Sequence, residues 1–136
     1  MADHAAAGDT DGEMIFIYRG GRAPQHVTHV RIDKSVDEIE KFAFSSCEHL
    51  VQVDTHDGLR RVGYMAFFNC RSLRRINLKF AAKIDQSAFN GCIGLTNVEF
   101  GEALETMGNY AFQICKSLKH LKLPSIITIG LLYSIL

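Results

Sequence analysis

The chain has 136 residues, which is long enough for one domain with a sizeable core. Its 15 Lys and Arg residues balance 15 Asp and Glu residues, so the formal net charge is zero. A chain without net charge has no whole-protein field that would attract nucleic acid or an anionic membrane, and we expect neither as a partner.

The N-terminal segment is read as a tail followed by a cap. Residues 1–12 are small and polar, so we expect a disordered tail without the basic and apolar regions of a secretory signal. Residues 13–26 hold a short apolar run and then Arg19-Gly20-Gly21-Arg22, which predicts a capping strand and a turn. No apolar run reaches the ~20 residues of a membrane-spanning helix, and we predict a cytoplasmic or otherwise intracellular protein.

From residue 27 onward the sequence repeats. The dipeptide Ala-Phe occurs four times at steps of 23, 22 and 23 residues. A Cys follows each Phe by three residues, a Leu follows each Cys by three, and an aliphatic residue follows each Leu by three. The spacing divides residues 27–136 into about five units that begin near Val27, Leu50, Leu73, Leu95 and Leu118, the last unit being incomplete.

Each unit predicts one coil of a solenoid. The alternation in Leu-x-x-Val-x-Leu is typical of a strand, and the spacing of three in Ala-Phe-x-x-Cys suits a short helical or 3₁₀ turn. One coil cannot cover its own apolar side chains, so successive coils must stack. We therefore predict an α/β repeat solenoid, a right-handed superhelix with a parallel sheet on one side and short extended stretches and helical or 3₁₀ turns on the other.

The pattern resembles the BspA-like class of leucine-rich repeats, with the consensus Leu-x-x-Ile-x-Leu-Pro-x-x-Leu-x-x-Ile-Gly-x-x-Ala-Phe-x-x-Cys. Residues 118–124 and 107–115 fit this consensus closely, and the resemblance covers residues 27–130. It implies a leucine-rich-repeat solenoid and, by default, a protein-binding role. The class includes surface adhesins as well as intracellular proteins, so the resemblance names no ligand.

The cysteines occupy one inward place of the repeat. Stacked coils would bring Cys47, Cys70, Cys92 and Cys115 to a spacing at which disulfides are sterically conceivable. An intracellular setting disfavours such bridges, and an inward free Cys acts as a small apolar residue, so we predict buried thiols. There is no Cys-x-x-Cys and no His in this place, and we predict no metal site, no cofactor and no catalytic residue.

The outward side chains of the predicted parallel sheet form the candidate binding site. The third and fifth places of each unit should face away from the core, side by side across the coils. They are His29, Gln52, Arg75, Asn97 and His120 in the third place, and Arg31, Asp54, Asn77, Glu99 and Lys122 in the fifth. These rows fit either a docking strip for a protein or a solvated polar ladder whose members bind one another.

A second candidate is a basic patch of Arg60, Arg61, Arg71, Arg74 and Arg75 with Lys79 nearby, which would contact phosphate or an acidic peptide or simply be surface charge. Toward the C-terminus Tyr133 stands where the repeat has Ala, and no polar cap follows. Either the chain is part of a longer array or a second copy covers this end. We therefore expect self-association through the uncapped C-terminal end.

Two functions remain open from the sequence. The first is a non-enzymatic protein-binding module that presents the outward residues of its sheet to a macromolecular partner. The alternative is a structural scaffold fragment of a longer repeat array, with no ligand of its own.

Overall fold

The computed structural model describes residues 6–8, 14–119, 121–124 and 128–129, and it describes side chains only in 14–119 and 121–124. Eleven strands lie in this part of the chain. They are β1 (Ala6–Gly8), β2 (Met14–Tyr18), β3 (His29–Ile32), β4 (Glu38–Ile39), β5 (Gln52–Asp54), β6 (Arg61–Val62), β7 (Arg75–Leu78), β8 (Lys83–Ile84), β9 (Asn97–Phe100), β10 (Thr106–Met107) and β11 (Thr128–Ile129).

The strands form two sheets whose order shows the coiling of the chain. One sheet has the order β1-β2-β3-β5-β7-β9, and the other has the order β11-β10-β8-β6-β4. From β2 onward neighbouring strands are parallel, and from β3 onward each pairs with the strand one repeat away. The predicted repeat solenoid is confirmed. We number its coils 1 to 5, starting at residues 27, 50, 73, 95 and 118.

The core is built from equivalent residues of successive coils. The Ala, Phe, Cys and Leu of the repeat are almost fully buried in coils 1 to 3. The four phenylalanines form an aromatic column: Phe44, Phe67, Phe89 and Phe112 have ring centroids 5.1, 5.0 and 5.2 Å apart. Adjacent rings are nearly parallel, with interplanar angles of 12°, 4° and 4°. Because each coil supplies one ring, stacking the coils completes the core.

The Ala-Phe-x-x-Cys segments are not helical, and the expectation of helical or 3₁₀ turns is corrected here. No helix occurs in the described residues. In coil 1 the N–H groups of Ala43, Ser45 and Cys47 bond three residues back within the coil. The alternate N–H groups, such as that of Phe44, bond instead to carbonyl oxygens of coil 2. A helix would direct all of these N–H groups along its own axis, so this alternation excludes one.

The alternation requires left-handed backbone at two places in each turn. In coil 2 these are Met65, with φ of 52°, and Asn69, with φ of 57°, and the other turns repeat the pattern. Such angles cost a non-glycine residue roughly 1–2 kcal/mol. The cost is met because each of these residues in coils 1 to 3 donates its N–H to the following coil.

Two glycines allow the second sheet to stack closely. A Cβ on Gly63 would lie 2.7 Å from the carbonyl oxygen of Ile39, and one on Gly108 would lie 2.4 Å from the backbone nitrogen of Gln86. The Gly that recurs after the aliphatic pair is therefore required by the neighbouring coil. Coil 3 has Asp85 in this place, and its carboxylate binds Arg61, with 2.9 Å between Nη2 and Oδ2.

Strand β2 covers the N-terminal end of the solenoid. It pairs in parallel with β3, and its fully buried Tyr18 lies over the aromatic column, 4.9 Å from the ring of Phe44. The Tyr18 hydroxyl donates a hydrogen bond to the carbonyl oxygen of Gly21 at 2.8 Å. Strand β1 pairs antiparallel with β2 within the segment expected to be a disordered tail.

Candidate functional site

The strand register places the predicted site residues in two rows on the six-stranded sheet. His29 pairs with Gln52, Gln52 with Arg75, and Arg75 with Asn97. In the second row Arg31 pairs with Asp54, and Asn77 pairs with Glu99. Lys122 is exposed in coil 5, and the predicted His120 lies outside the described residues. We call these residues, with His120 left out, the outer strip.

In coils 1 and 2 the outer strip is a closed polar cluster around Asp54. One carboxylate oxygen of Asp54 lies 2.9 Å from His29 Nε2 and 3.9 Å from Arg31 Nε, and the other accepts a hydrogen bond from Gln52 Nε2 at 2.9 Å. Partial burial alone would raise the pKa of Asp54. The hydrogen bonds from Gln52 and His29 and the charge of Arg31 outweigh burial, and the pKa of Asp54 is lowered.

His29 departs from the expectation of an exposed side chain. It is only 7% exposed, and the Asp54 carboxylate of the next coil lies against its ring. A partner could therefore not reach His29 without displacing Asp54. In this half of the outer strip, the side chains form the polar ladder of mutually bound residues that the sequence left open as an alternative.

In coils 3 and 4 the outer strip is open. The exposed side chains of Arg75, Asn97 and Glu99 make no hydrogen bond or ion pair with any residue that the structure describes. Asn77 Oδ1 accepts a hydrogen bond from the backbone N–H of Lys79 at 2.9 Å, which leaves the amide NH₂ group of Asn77 available as a donor. A shallow depression of about 190 Å³ is lined by Gln52, Asp54, Arg75, Asn77, Asn97 and Glu99 with Val53 and Ile76.

A larger cleft of about 520 Å³ continues the open half toward coil 5. One side of the cleft is β9, which ends at Phe100, together with the turn that follows it. The other side is the segment that carries Lys122 and Pro124. At the other end of the strip, Ile17 of β2 pairs with Arg31 and extends the second row by one residue. The sequence did not reveal Ile17 as a neighbour of the strip, because the register of a capping strand is not encoded in the repeat.

The predicted basic patch does not form one surface. Arg61 lies on β6 in the five-stranded sheet, whereas Arg75 lies on β7 in the six-stranded sheet. Arg61 is bound to Asp85, and Arg60 donates to the carbonyl oxygens of Asp57 and Phe80. Arg71 and Arg74 are exposed and lie just before β7, so they border the open half of the outer strip.

The four cysteines are free thiols, as predicted. Three are buried and Cys115 is partly buried. Cys70, Cys92 and Cys115 donate hydrogen bonds of 3.0–3.1 Å to the Phe carbonyl oxygen of the preceding coil. Burial raises the pKa of Cys47 to about 11 and that of Cys115 to about 12, which suppresses the thiolate at neutral pH. Among the described residues no three His, Cys, Asp or Glu side chains converge as metal ligands.

Comparison with protein families assigns the repeat. The family model described as the BspA type leucine rich repeat region matches residues 23–131 in six copies. The chain belongs to this BspA-type leucine-rich repeat family. The match confirms the resemblance found in the sequence and adds one copy to the five units counted there. A comparison with curated proteins finds no significant match.

Solved structures of other leucine-rich repeat proteins share the fold of this BspA-type chain. A leucine-rich repeat protein from Bacteroides ovatus is 31% identical over 68% of the chain, with a TM-score of 0.65. A leucine-rich repeat protein from T. pallidum is 26% identical over 93% of the chain, with a TM-score of 0.73. A leucine-rich cell surface protein from Faecalibacterium prausnitzii is 21% identical over 96% of the chain, with a TM-score of 0.54, and it shows the fold alone.

The BspA-type chain spans 24%, 60% and 38% of the lengths of these three proteins, respectively. Across the part of the chain that the structure describes, there is no helix with the length and apolar character needed to cross a membrane.

Proposed function

We propose that this leucine-rich repeat chain is a non-enzymatic module that binds a protein partner through the open half of the outer strip. Membership of the family supports an interaction role in general. The family is described by its repeat and not by a reaction, which supports a role without catalysis. The intracellular location remains a prediction from the sequence.

The contrast between the two halves of the outer strip carries this proposal. Asp54 lies within hydrogen-bonding distance of His29 and Gln52 and forms an ion pair with Arg31, so its carboxylate and the His29 ring are already engaged within the chain. Arg75 and Glu99 make no corresponding contact with the described residues. A partner can therefore bind these side chains without first breaking an internal bond of theirs.

The chemistry of the open half favours a protein. Arg75 offers a planar set of donors, Glu99 offers acceptors, and Asn97 offers both. A surface with both charges and an amide matches a protein that carries complementary charges, and such complementarity determines specificity and association rate. Nucleic acid would require a continuous row of cations without Glu99 among them. Arg71 and Arg74 beside the strip add the residue type that is enriched in binding hot spots.

The decisive experiment is a quantitative pull-down from extracts of the source cells with a matched control. The test protein carries Arg75→Ala, Asn97→Ala and Glu99→Ala together. The control carries Lys34→Ala, Gln25→Ala and Glu38→Ala, which also remove one cation, one amide and one anion from exposed positions outside the strip. Thermal unfolding establishes that both variants fold.

We expect wild type and control to retain a protein that the test variant loses. Removal of three contacts of about 1 kcal/mol each would weaken binding by roughly two orders of magnitude if the contributions add. Equal retention of all proteins by the three forms would refute the proposal and would favour the alternative, a scaffold segment without a ligand of its own.

A further inference from the structure

A second surface differs from the outer strip in chemistry and position. It consists of the outward residues of the turns in coils 2 to 4, which we call the turn face: Tyr64, Met65, Phe68, Asn69, Gln86, Asn90, Asn109, Tyr110, Gln113 and Ile114. Residues 62–70, 86–98 and 106–115 contain no Asp, Glu, Lys or Arg, although charged residues make up 22% of the chain. The turn face is therefore without formal charge.

The backbone ladder aligns these side chains. The N–H of Met65 bonds to the carbonyl oxygen of Gln86 at 3.2 Å, and the N–H of Ser87 bonds to that of Asn109 at 3.0 Å. The side chains of Tyr64, Gln86 and Asn109 therefore start from equivalent places of successive coils, about 4.8 Å apart. Phe68, Asn90 and Gln113 form the parallel row four residues further along each coil.

The turn face combines exposed apolar side chains with amides, since Tyr110 and Ile114 of coil 4 are 40% and 51% exposed. Tyr64 is 39% exposed, and its ring packs edge-on against Phe42, with centroids 5.4 Å apart and an interplanar angle of 81°. This contact holds the exposed tyrosine ring in place. In the next coils the amides continue the surface, and Asn90 Nδ2 donates to Gln113 Oε1 at 3.2 Å. Gln86 is exposed and makes no side-chain hydrogen bond with a described residue.

The absence of charge excludes several ligand classes. A phosphate backbone is bound mainly through Lys and Arg, and the turn face has none. A charged peptide would lose hydration without gaining an opposite charge. A second copy of this chain is disfavoured because five of the ten side chains of the turn face are amides, whereas the centres of homodimer interfaces are about 65% apolar.

Neutral hydroxyl groups match what the turn face offers. Each amide presents donors and an acceptor, as a sugar hydroxyl pair requires, and an aromatic ring provides a flat apolar surface for the C–H face of a sugar ring. We propose that the turn face binds a neutral polysaccharide chain, with a sugar ring packing on Tyr64 and hydroxyl groups binding Gln86, Asn90 and Gln113. This site is separate from the outer strip and does not depend on the function proposed for it.

Affinity electrophoresis in native gels tests the proposal with the whole chain. Separate gels contain dextran, a soluble β-1,3-glucan, galactomannan or fully N-acetylated glycol chitin as the neutral probe. A further gel contains heparin as the anionic probe. The variants are Tyr64→Ala and the pair Gln86→Ala with Asn90→Ala. Phe80→Ala and Gln25→Ala are the controls, because they remove an exposed aromatic ring and an exposed amide outside the turn face.

We expect at least one neutral polysaccharide to retard the wild type and both controls. The Tyr64 variant and the amide pair should each raise the dissociation constant by about fivefold to tenfold, the loss that corresponds to one stacking contact or one to two hydrogen bonds. Retardation by none of the neutral polymers would overturn the proposal. It would also be overturned by retardation with heparin alone, or by equal retardation of wild type and turn-face variants.

Discussion

The aromatic column predicts a specific pattern of energetic coupling. Phe67 lies between Phe44 and Phe89, with nearly parallel rings 5.1 and 5.0 Å away. A stacked aromatic pair contributes about 0.5–1.5 kcal/mol beyond the buried area, and replacing Phe by a smaller residue also leaves a cavity. We therefore expect Phe67→Leu to lower the free energy of unfolding by about 2–4 kcal/mol.

A double-mutant cycle separates ring stacking from loss of area. The single variants Phe67→Leu and Phe89→Leu are combined, and their interaction energy is compared with that of Phe44→Leu and Phe89→Leu. Phe67 and Phe89 are in contact, whereas Phe44 and Phe89 are separated by the Phe67 ring. Contacting residues give interaction energies of roughly 0.5–3 kcal/mol, and separated ones add within about 0.5 kcal/mol.

Urea unfolding followed by far-UV circular dichroism measures all five variants. We expect an interaction energy near 1 kcal/mol for the adjacent pair and near zero for the separated pair. If the two pairs give the same interaction energy, the rings contribute through buried area alone, and the argument from stacking is wrong.

Four further predictions test other features. Gly63→Ala places a methyl group 2.7 Å from the Ile39 oxygen, so it should lower the free energy of unfolding by about 2 kcal/mol or more. Gly21→Ala meets no atom within 4 Å and should lower it by about 1 kcal/mol because of the left-handed φ at this position. Equal losses for the two variants in thermal unfolding would contradict this. Ile114 is β-branched, 51% exposed and has φ of 62°, so Ile114→Asn should raise the free energy of unfolding by about 1 kcal/mol, and a decrease would argue against backbone strain there. The lowered pKa of Asp54 means that its stabilising contribution is present above the unfolded-state value of about 4 and is lost as the pH falls through the lower folded-state value. Asp54→Asn should therefore be destabilising at pH 7 and converge with wild type in acid, and a pH-independent difference in urea unfolding would refute the ionic explanation. Iodoacetamide at pH 8 should modify Cys115 first, because it is only partly buried, and the three buried thiols only after unfolding, and mass spectrometry would reveal any other order.

The sequence predicts the stacking well because the repeat records which side chains are inward. Four linked positions recur at nearly constant steps, so the burial of Phe67 and Cys70 follows from alignment with the other units. The two rows of the outer strip can be predicted in the same way, since strand alternation determines which residues face outward.

Two features could not be predicted from spacing. A separation of three residues fits both a helical turn and the alternating turn found here, and only the partners of N–H groups such as that of Phe44 distinguish them. The contact between His29 and Asp54, 25 residues apart, is one that neither residue reveals in its own unit. The distinction between the closed and open halves of the outer strip arises from such pairings between coils.

The direction of the turn hydrogen bonds gives the solenoid a polarity. Phe42, Phe44 and Ser46 of coil 1 all donate to carbonyl oxygens of coil 2, and coils 2 and 3 donate to their successors in the same sense. One face of every coil thus presents donors at the turn, and the opposite face presents acceptors. Any segment that extends this ladder beyond coil 4 must bring a row of carbonyl oxygens, which permits head-to-tail addition and excludes head-to-head pairing through the turns.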